Sequence, residues 1–272
     1  MFRKFKIVAL AASMVVFANG MATAGSAPES SDPIKVIKND WTGQLFSTEV
    51  MGELLKEMGY NIEYVSAGAL PQHPGIAQGN IHLNTEVWTN NVGDLYPDFV
   101  AKGEIVVVGD LGLDPKEGWV YPPYMEDKCP GLPNYMALYE CQQAFATAAT
   151  FPNGRVITYP ADWGTRSRDL VASLEMPLEP IPGGSEGAMM AELKSAYAAK
   201  DPILMMIWQP HWIFADLDLN FVEWNPVDGS VKTIGVGVIN TLVVMRRARR
   251  GPIMKDGNKQ GCVPVSYTHL RA

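Results

Sequence analysis

Four of the seven tryptophans in this 272-residue chain lie where predicted β-strands end. Trp88 and Trp208 each end an apolar run, Trp163 lies in a loop after another run, and Trp41 lies just beyond the first. Ligands of open α/β sheets bind beyond the carboxyl ends of the strands. We therefore expect these four indole rings to converge on one ligand.

A quaternary ammonium group is the ligand that such a cluster suits. It has no N–H donor, and its diffuse charge is held by aromatic faces, best by indole, at about 2 kcal/mol or more per desolvated ring. A single tryptophan is more often buried for packing alone. Trp212 and Trp224 do not lie at predicted strand ends and are assigned to packing. Trp119 is intermediate between a packing role and a ligand-binding role.

The elements that must position these rings alternate between strand and helix. Apolar and β-branched runs predict strands at 34–37, 62–65, 82–87, 105–108, 156–159 and 203–208. Helices are predicted at 45–58, at 137–149 and from the capping residue Ser185 to Lys200. A further helical segment is predicted to end at residues 76–79. This α/β alternation predicts a mostly parallel sheet covered on both faces. The aromatic and proline-rich segment 118–124 suits a connection between two lobes.

The amino terminus predicts export. A basic start, an apolar run at 7–18 and Ala22-Thr23-Ala24 make residues 1–24 a cleaved signal peptide, with a short N-terminal anchor as the alternative. The expected location is the periplasm. In that compartment Cys129 and Cys141, which bracket a proline-containing loop, favour a disulfide over two free thiols.

Composition argues against several other functions. A net charge of −7 disfavours a nucleic-acid partner, and the basic run at 246–250 is interpreted as a solvated face or a sequence error. His73, His82 and His211 show no ligand spacing, so no metal is expected, and no phosphate or dinucleotide motif predicts a cofactor. Residues 265–272 resemble a translated sequencing adapter, which makes 262–272, with Cys262, a suspected non-native tail.

An esterase is the alternative from another class. The segment from Gly183 to Gly187 matches G-x-S-x-G, but that motif must follow a strand, and residues 179–182, with two prolines, are predicted to make a poor one. Ser185 is more simply a helix cap. We therefore expect a binding protein and not an enzyme, with no catalytic residues.

Four short segments carry a family resemblance: residues 39–42 (NDWT), 86–89 (EVWT), 162–165 (DWGT) and 207–212 (IWQPHW). Over residues 34–229 the chain resembles the substrate-binding proteins of glycine betaine, proline betaine and choline ABC importers. The resemblance implies a type II-like periplasmic binding protein, with two α/β lobes and a ligand cleft between them. It also implies an inner-membrane ABC permease as partner and a small methylated amine as ligand.

The same resemblance implies roles for individual residues. Trp88, Trp163 and Trp208 match cage positions, and Trp41 matches a further aromatic of some subgroups. The backbone N–H groups of Gly164 and Thr165 would hold the anionic end of the ligand. His211 could add a donor, or equally be a hydrogen-bonded residue of the cleft rim or core.

The expected ligand is glycine betaine or a related methylated amine, with choline and trimethylamine N-oxide as alternatives. Val92 stands where some betaine binders carry histidine, and Gly43 where some choline binders carry an acid. The expected division is lobe I at 25–118, lobe II at 119–205 and a return to lobe I at 206–261, incomplete at its end.

Overall fold

The computed structural model describes residues 28, 30–92, 95–224 and 241–246. Its strands, in chain order, are β1 (Ile34–Lys38), β2 (Ile62–Ser66), β3 (Leu83–Trp88), β4 (Ile105–Asp110), β5 (Lys116–Tyr121), β6 (Pro130–Pro133), β7 (Gly154–Thr158), β8 (Leu178–Pro182), β9 (Met205–Gln209), β10 (Asn220–Phe221) and β11 (Thr241–Arg246). Its α-helices are α1 (Thr42–Glu57), α2 (Gln72–Gln78), α3 (Leu95–Ala101), α4 (Ala137–Cys141), α5 (Arg166–Ser173), α6 (Glu186–Ala199) and α7 (Ile213–Asp216).

The first sheet has the order β2-β1-β3-β11-β4 and forms the first lobe with α1, α2 and α3. Strands β1, β2 and β3 are parallel, and β11 pairs antiparallel with both β3 and β4. All six residues of β3 are buried, as expected for a central strand between two helical layers. The carboxyl ends of β1 and β3, where Trp41 and Trp88 lie, therefore share one edge of the sheet.

The second sheet has the order β10-β5-β9-β7-β8 and forms the second lobe with α4 to α7. Strand β7 is parallel to β8 and β9, whereas β5 pairs antiparallel with β9. The expectation of an interlobe connection at 118–124 was wrong, because Trp119, Val120 and Tyr121 continue β5 as part of the buried core. An apolar run of this kind is stabilised more by burial in a sheet than as an exposed linker.

Sheet membership divides the chain differently from the expected lobe boundaries. Strand β9, which carries Trp208, and strand β10 both pair within the second sheet, so the chain does not return to the first lobe at residue 206. The next described strand of the first sheet is β11. An apolar strand at 203–208 fits either sheet equally well, which is why its pattern did not reveal the partner.

Two local expectations were also wrong. Residues 178–182 form strand β8 despite Pro180 and Pro182, because β8 is an edge strand, where a missing N–H costs no ladder hydrogen bond. The helix expected at 137–149 ends early: α4 stops at Cys141, and a 3₁₀ turn follows as far as Phe145. Beyond it, the Thr147 N–H donates to the Thr150 hydroxyl at 3.0 Å, a local bond that competes with helix formation.

Cys129 and Cys141 form a disulfide, with their Cα atoms 5.2 Å apart, and this is the pairing that the sequence predicts. In the part of the chain that the structure describes, no helix is long and apolar enough to cross a membrane. The predicted signal peptide at 1–24, the arginines at 247, 249 and 250, Cys262 and the suspected tail at 262–272 all lie outside the described residues.

Candidate ligand-binding site

A pocket between the two lobes is lined by all four strand-end tryptophans. Trp41 precedes α1 and Trp88 ends β3 in the first lobe, while Trp163 follows β7 and Trp208 lies in β9 of the second. The pocket encloses about 380 Å³, part of it open to solvent. Each of the four rings is at least 91% buried, because Trp88, the most exposed of them, is 9% exposed. The structure thus brings together the rings that the sequence places at separate strand ends.

The rings stand edge to face around the pocket. Ring centroids lie 5.2 Å apart for Trp41 and Trp163 and 5.7 Å apart for Trp163 and Trp208, with interplanar angles of 67° and 72°. Tyr159 adds a fifth ring, with its centroid 5.6 Å from those of Trp163 and Trp208. We call these four residues, together with Trp88, the aromatic pocket. Aromatic rings that line one pocket suit a compact cation, which binds to their faces.

Three of the four indole rings donate their N–H group to an acidic side chain. Trp41 Nε1 and Trp88 Nε1 each donate to Glu86 Oε1 at 2.7 Å. Trp163 Nε1 donates to Asp40 Oδ1 at 2.8 Å, a hydrogen bond that joins the two lobes. Burial raises the pKa of Glu86, although the hydrogen bonds from Trp88 and Trp41 act to lower it.

Glu117 is an acidic residue in the pocket wall that the sequence analysis did not identify. It lies on β5 directly opposite Trp208 on β9, and this register carries its carboxyl group to the aromatic pocket. Asn91 Nδ2 at 2.7 Å and the Tyr159 hydroxyl at 2.9 Å donate to its Oε1, and Asn90 Nδ2 donates to its Oε2. Burial raises the pKa of Glu117, while the hydrogen bonds from Asn91, Asn90 and Tyr159 act in the opposite direction.

Tyr159 was missed as well, although a signal for it was present. It follows β7 directly, at a strand end equivalent to those of Trp88 and Trp208, so the rule that selected tryptophans applies to it too. Glu117 had no such signal, because it depends on the pairing of β5 with β9. The pocket is completed by Ala69, Gln72, Asn91 and Val92.

Gly164 and Thr165 do not line the aromatic pocket but a neighbouring one at the start of α5. Gly164 has a φ of +139°, and a Cβ atom there would lie 2.7 Å from the Asn91 carbonyl oxygen. Glycine is therefore required for the close approach of the two lobes. The Thr165 hydroxyl donates to Asp169 at 2.5 Å. The donor role implied for the backbone N–H groups of Gly164 and Thr165 stays a prediction.

His211 lies behind the pocket and not in its wall. Its Nε2 is 3.0 Å from Glu186 Oε1, and its Nδ1 accepts from the Ile213 N–H at 3.1 Å. Its ring packs edge-on against Trp208, with centroids 4.6 Å apart. Of the two roles left open for His211, this geometry matches the hydrogen-bonded residue of the cleft.

Glu186 connects the lobes at the same place. This first residue of α6 accepts from the Thr42 N–H at 2.6 Å and from the Thr42 hydroxyl at 2.5 Å, and Thr42 is the first residue of α1 in the other lobe. A carboxylate at a helix N-terminus also interacts favourably with the helix dipole. We call Glu186, Thr42 and His211 the interlobe latch.

The remaining candidates fall outside the pocket. Trp119 is a core residue that donates to Ser167, and Trp224 stacks on Tyr135, whereas Trp212 is 42% exposed. Ser185 accepts from the Ala188 N–H at 3.2 Å as the cap of α6.

The histidines considered as metal ligands also lie away from the pocket. His73 is fully buried, and burial lowers its pKa to about 4. His82 Nδ1 accepts from the Lys35 N–H at 3.1 Å. Within the described residues, no group of three His, Cys, Asp or Glu side chains is placed to hold a metal ion.

Several known proteins are similar to this chain in sequence or in fold. A curated relative, the trimethylamine N-oxide-binding protein of Pelagibacter ubique (strain HTCC1062), is 29% identical over 81% of this chain and 72% of its own length. Among solved structures, a glycine betaine/L-proline-binding protein from Borrelia burgdorferi matches with a TM-score of 0.66 at 23% identity, over 79% of this chain and 75% of its own. A choline-binding protein in complex with choline matches with a TM-score of 0.68 at 15% identity, over 81% of this chain and 73% of its own.

These likenesses confirm the two-lobe fold of periplasmic binding proteins that the sequence predicts. The family model for the substrate binding domain of ABC-type glycine betaine transport systems matches residues 32–265. That match passes residue 229, so the resemblance extends further than the sequence analysis expected. Members of this family are extracytoplasmic solute-binding proteins that work with ABC permeases, and this chain belongs to the family.

Proposed function

We propose that this chain is the periplasmic substrate-binding protein of an ABC importer and that its ligand is trimethylamine N-oxide. It would bind without catalysing a reaction, after export directed by residues 1–24. The observation that carries the choice of ligand is the buried carboxyl group of Glu117 in the wall of the aromatic pocket.

The methylated end of the ligand would occupy the aromatic pocket. Indole faces from Trp41, Trp88, Trp163 and Trp208 surround one space that excludes most water. A desolvated cation–π contact contributes about 2 kcal/mol, so several such contacts account for tight binding of a compact trimethylammonium group. This part of the site does not distinguish among methylated amines.

The polar end of the ligand would meet Glu117. Its raised pKa favours a protonated carboxyl group, which can donate a hydrogen bond to an N-oxide oxygen. The carboxylate of glycine betaine could accept the same hydrogen bond from a neutral Glu117, but it would be repelled by Glu117 in its ionised form. Gly164 and Thr165, the donors expected for a ligand carboxylate, lie outside this pocket. The curated trimethylamine N-oxide-binding relative supports the same choice.

Choline is the second candidate ligand, and the contacts made by Glu117 support it. Glu117 accepts three hydrogen bonds and lies 4.0 Å from Arg166 Nη1, and each of these contacts favours its ionised form. An ionised Glu117 would accept a hydrogen bond from the hydroxyl group of choline and balance its positive charge.

Isothermal titration calorimetry with tryptophan fluorescence tests the proposal on four ligands: trimethylamine N-oxide, choline, glycine betaine and proline betaine. We expect trimethylamine N-oxide to bind most tightly and to change the fluorescence, because the caged indoles contact it. Tighter binding of either betaine would contradict the role given to Glu117. Binding of none of the four would contradict the function itself.

A further inference from the structure

We propose that Glu86 is a positioning residue for ligand binding: one oxygen of its carboxylate orients two of the four caged indole rings. The inference rests on the proposed function, because it concerns how the aromatic pocket is held ready for a methylated amine. Glu86 itself does not line the pocket wall.

The geometry of Glu86 follows from its place on β3. Glu86 and Trp88 are two residues apart on one strand, so their side chains lie on the same face of the sheet. Trp41 reaches the same point from the start of α1. Both indole N–H groups donate to Glu86 Oε1 at 2.7 Å, and Glu86 is only 2% exposed. The buried Oε1 atom of Glu86 thus connects the end of β3 with the start of α1.

The indole N–H is a donor only, so a buried ring is oriented by whatever accepts from it. Here the acceptor is a carboxyl oxygen, and in the ionised form of Glu86 the hydrogen bonds that it accepts are charge-assisted, which makes them shorter and stronger than neutral ones. Both tryptophans line the pocket, and their N–H groups donate to Glu86, which is not a lining residue. Removing the acceptor would leave two buried donors unsatisfied, and the rings would turn to find other partners.

Gly43 supplies a second, independent observation. A Cβ atom at residue 43 would lie 3.2 Å from Glu86 Oε2 and 3.3 Å from Glu86 Oε1. Glycine disfavours a helix relative to alanine, yet it stands in the first turn of the sixteen-residue helix α1. Its missing side chain leaves the space in which the Glu86 carboxylate reaches both indoles.

The test compares trimethylamine N-oxide affinity, by calorimetry, in variants that keep or remove the acceptor. Glu86→Gln retains a side-chain oxygen and should bind within about threefold of the original, whereas Glu86→Leu should lose about tenfold or more, the equivalent of one buried donor left unsatisfied. Gly43→Ala should fold well and still lower affinity, because its Cβ displaces the carboxylate. Glu49→Gln, which removes an exposed acid of the same lobe, is the matched control and should bind as the original does.

A double-mutant cycle separates positioning from a general role in stability. Trp88→Phe keeps an aromatic ring but has no N–H, so combining it with Glu86→Leu should cost less affinity than the sum of the two single changes. The melting temperature is recorded for every variant.

Three outcomes would overturn the inference alone: Glu86→Leu and Gly43→Ala binding as tightly as the original, Glu86→Gln losing as much affinity as Glu86→Leu, or strict additivity in the cycle. If the original protein binds no methylated amine, the proposed function fails first and this inference fails with it.

Discussion

Because Glu117 lies opposite Trp208 in the pair β5 and β9, one strand register brings a carboxyl group and an indole ring to the same pocket. At the level of single residues, the tryptophans were predictable from strand ends alone. Glu117 was not, since an acid in the segment 116–121 becomes a pocket residue only through its pairing with another strand.

The protonation of Glu117 leads to a prediction about pH. Burial raises its pKa, so the neutral form that donates to an N-oxide is present below that pKa and is lost as the pH rises through it. Affinity for trimethylamine N-oxide should therefore weaken with rising pH. Above the pKa, binding should take up a proton, which calorimetry in buffers of different ionisation enthalpy measures.

Glu117→Gln is the informative variant, since an amide donates at every pH. It should remove the weakening of affinity with rising pH and the proton uptake, while keeping measurable binding. Glu192→Gln, which replaces an exposed acid of the same lobe paired with Arg155, should behave as the original. Affinity that rises as the pH increases above 4.5, the ordinary pKa of a glutamate, would contradict the assignment and favour choline bound to an ionised Glu117.

Trp208→Ala should weaken binding by about 2 kcal/mol, the contribution of one desolvated cation–π contact. The ring is 4% exposed and contacts Tyr159, Trp163 and His211, so some loss of stability should accompany the change. Trp208→Phe keeps an aromatic ring that binds cations less strongly than indole, so its affinity should lie between those of the original protein and Trp208→Ala. Phe151→Ala removes an aromatic ring that is 67% exposed and should leave affinity unchanged. Equal affinity in the original and Trp208→Ala would exclude this ring from the site.

At the level of helices and strands, ligand affinity also depends on contacts between the lobes. The starts of α1 and α6 meet through the interlobe latch, and Asp40 of the first lobe accepts from Trp163 of the second. These hydrogen bonds form only when the lobes are together. Any loss of them therefore weakens binding without touching the ligand.

Glu186→Ala should lower affinity for trimethylamine N-oxide by about tenfold, since hydrogen bonds to charged groups contribute about 1.5–3 kcal/mol. The loss should appear as faster ligand dissociation in stopped-flow fluorescence and as a more open shape in small-angle X-ray scattering. Glu192→Ala, on the same helix but at an exposed position, is the control. An unchanged dissociation rate would mean that the latch does not hold the closed form.

The latch also has a predicted pH dependence of its own. Burial raises the pKa of Glu186, but the hydrogen bonds from His211 and Thr42 lower it, and the net shift is downward. An acid with a depressed pKa stabilises the closed form above its ordinary pKa, and that stabilisation is lost as the pH falls through the lowered value. Affinity should thus decline at acid pH, and the decline should disappear in Glu186→Ala.

The disulfide should stabilise the second lobe without affecting the ligand. Cys129 and Cys141 are 12 residues apart, and closing a loop of that length contributes about 3 kcal/mol by the chain-entropy model. Replacing both by serine should lower the free energy of unfolding by about that amount in urea titration. Affinity should stay the same, because neither cysteine lines the aromatic pocket. Reduced affinity in a still-folded variant would contradict this separation.

Element prediction succeeded where the sequence pattern was periodic and failed where context decided. Strands β1, β2, β3 and β9 were predicted to within about two residues, which is the usual uncertainty of element ends. Strand β8 was rejected for its prolines, although an edge position tolerates them. Helices α3 and α5, of seven and eight residues, were not predicted at all.

For the molecule as a whole, the alternation of strand and helix predicted an α/β fold, and the family resemblance implied two lobes with a cleft, but neither gave the lobe boundaries. The chain enters the second sheet at β5, stays there through β10 and is next described in the first sheet at β11. Tertiary pairing decides which sheet a strand joins, and the sequence of an apolar strand does not indicate its partner. The four tryptophans nevertheless locate the cleft, since both lobes direct strand ends toward it.

A crystal structure of the complex with trimethylamine N-oxide tests the central claim most directly. We predict that the ligand nitrogen lies within about 6 Å of the ring centroids of Trp41, Trp88, Trp163 and Trp208, the range of a cation–π contact. Its oxygen should lie within hydrogen-bond distance of the Glu117 carboxyl group. A ligand bound outside the aromatic pocket, or bound inside it with the oxygen directed away from Glu117, would contradict the account.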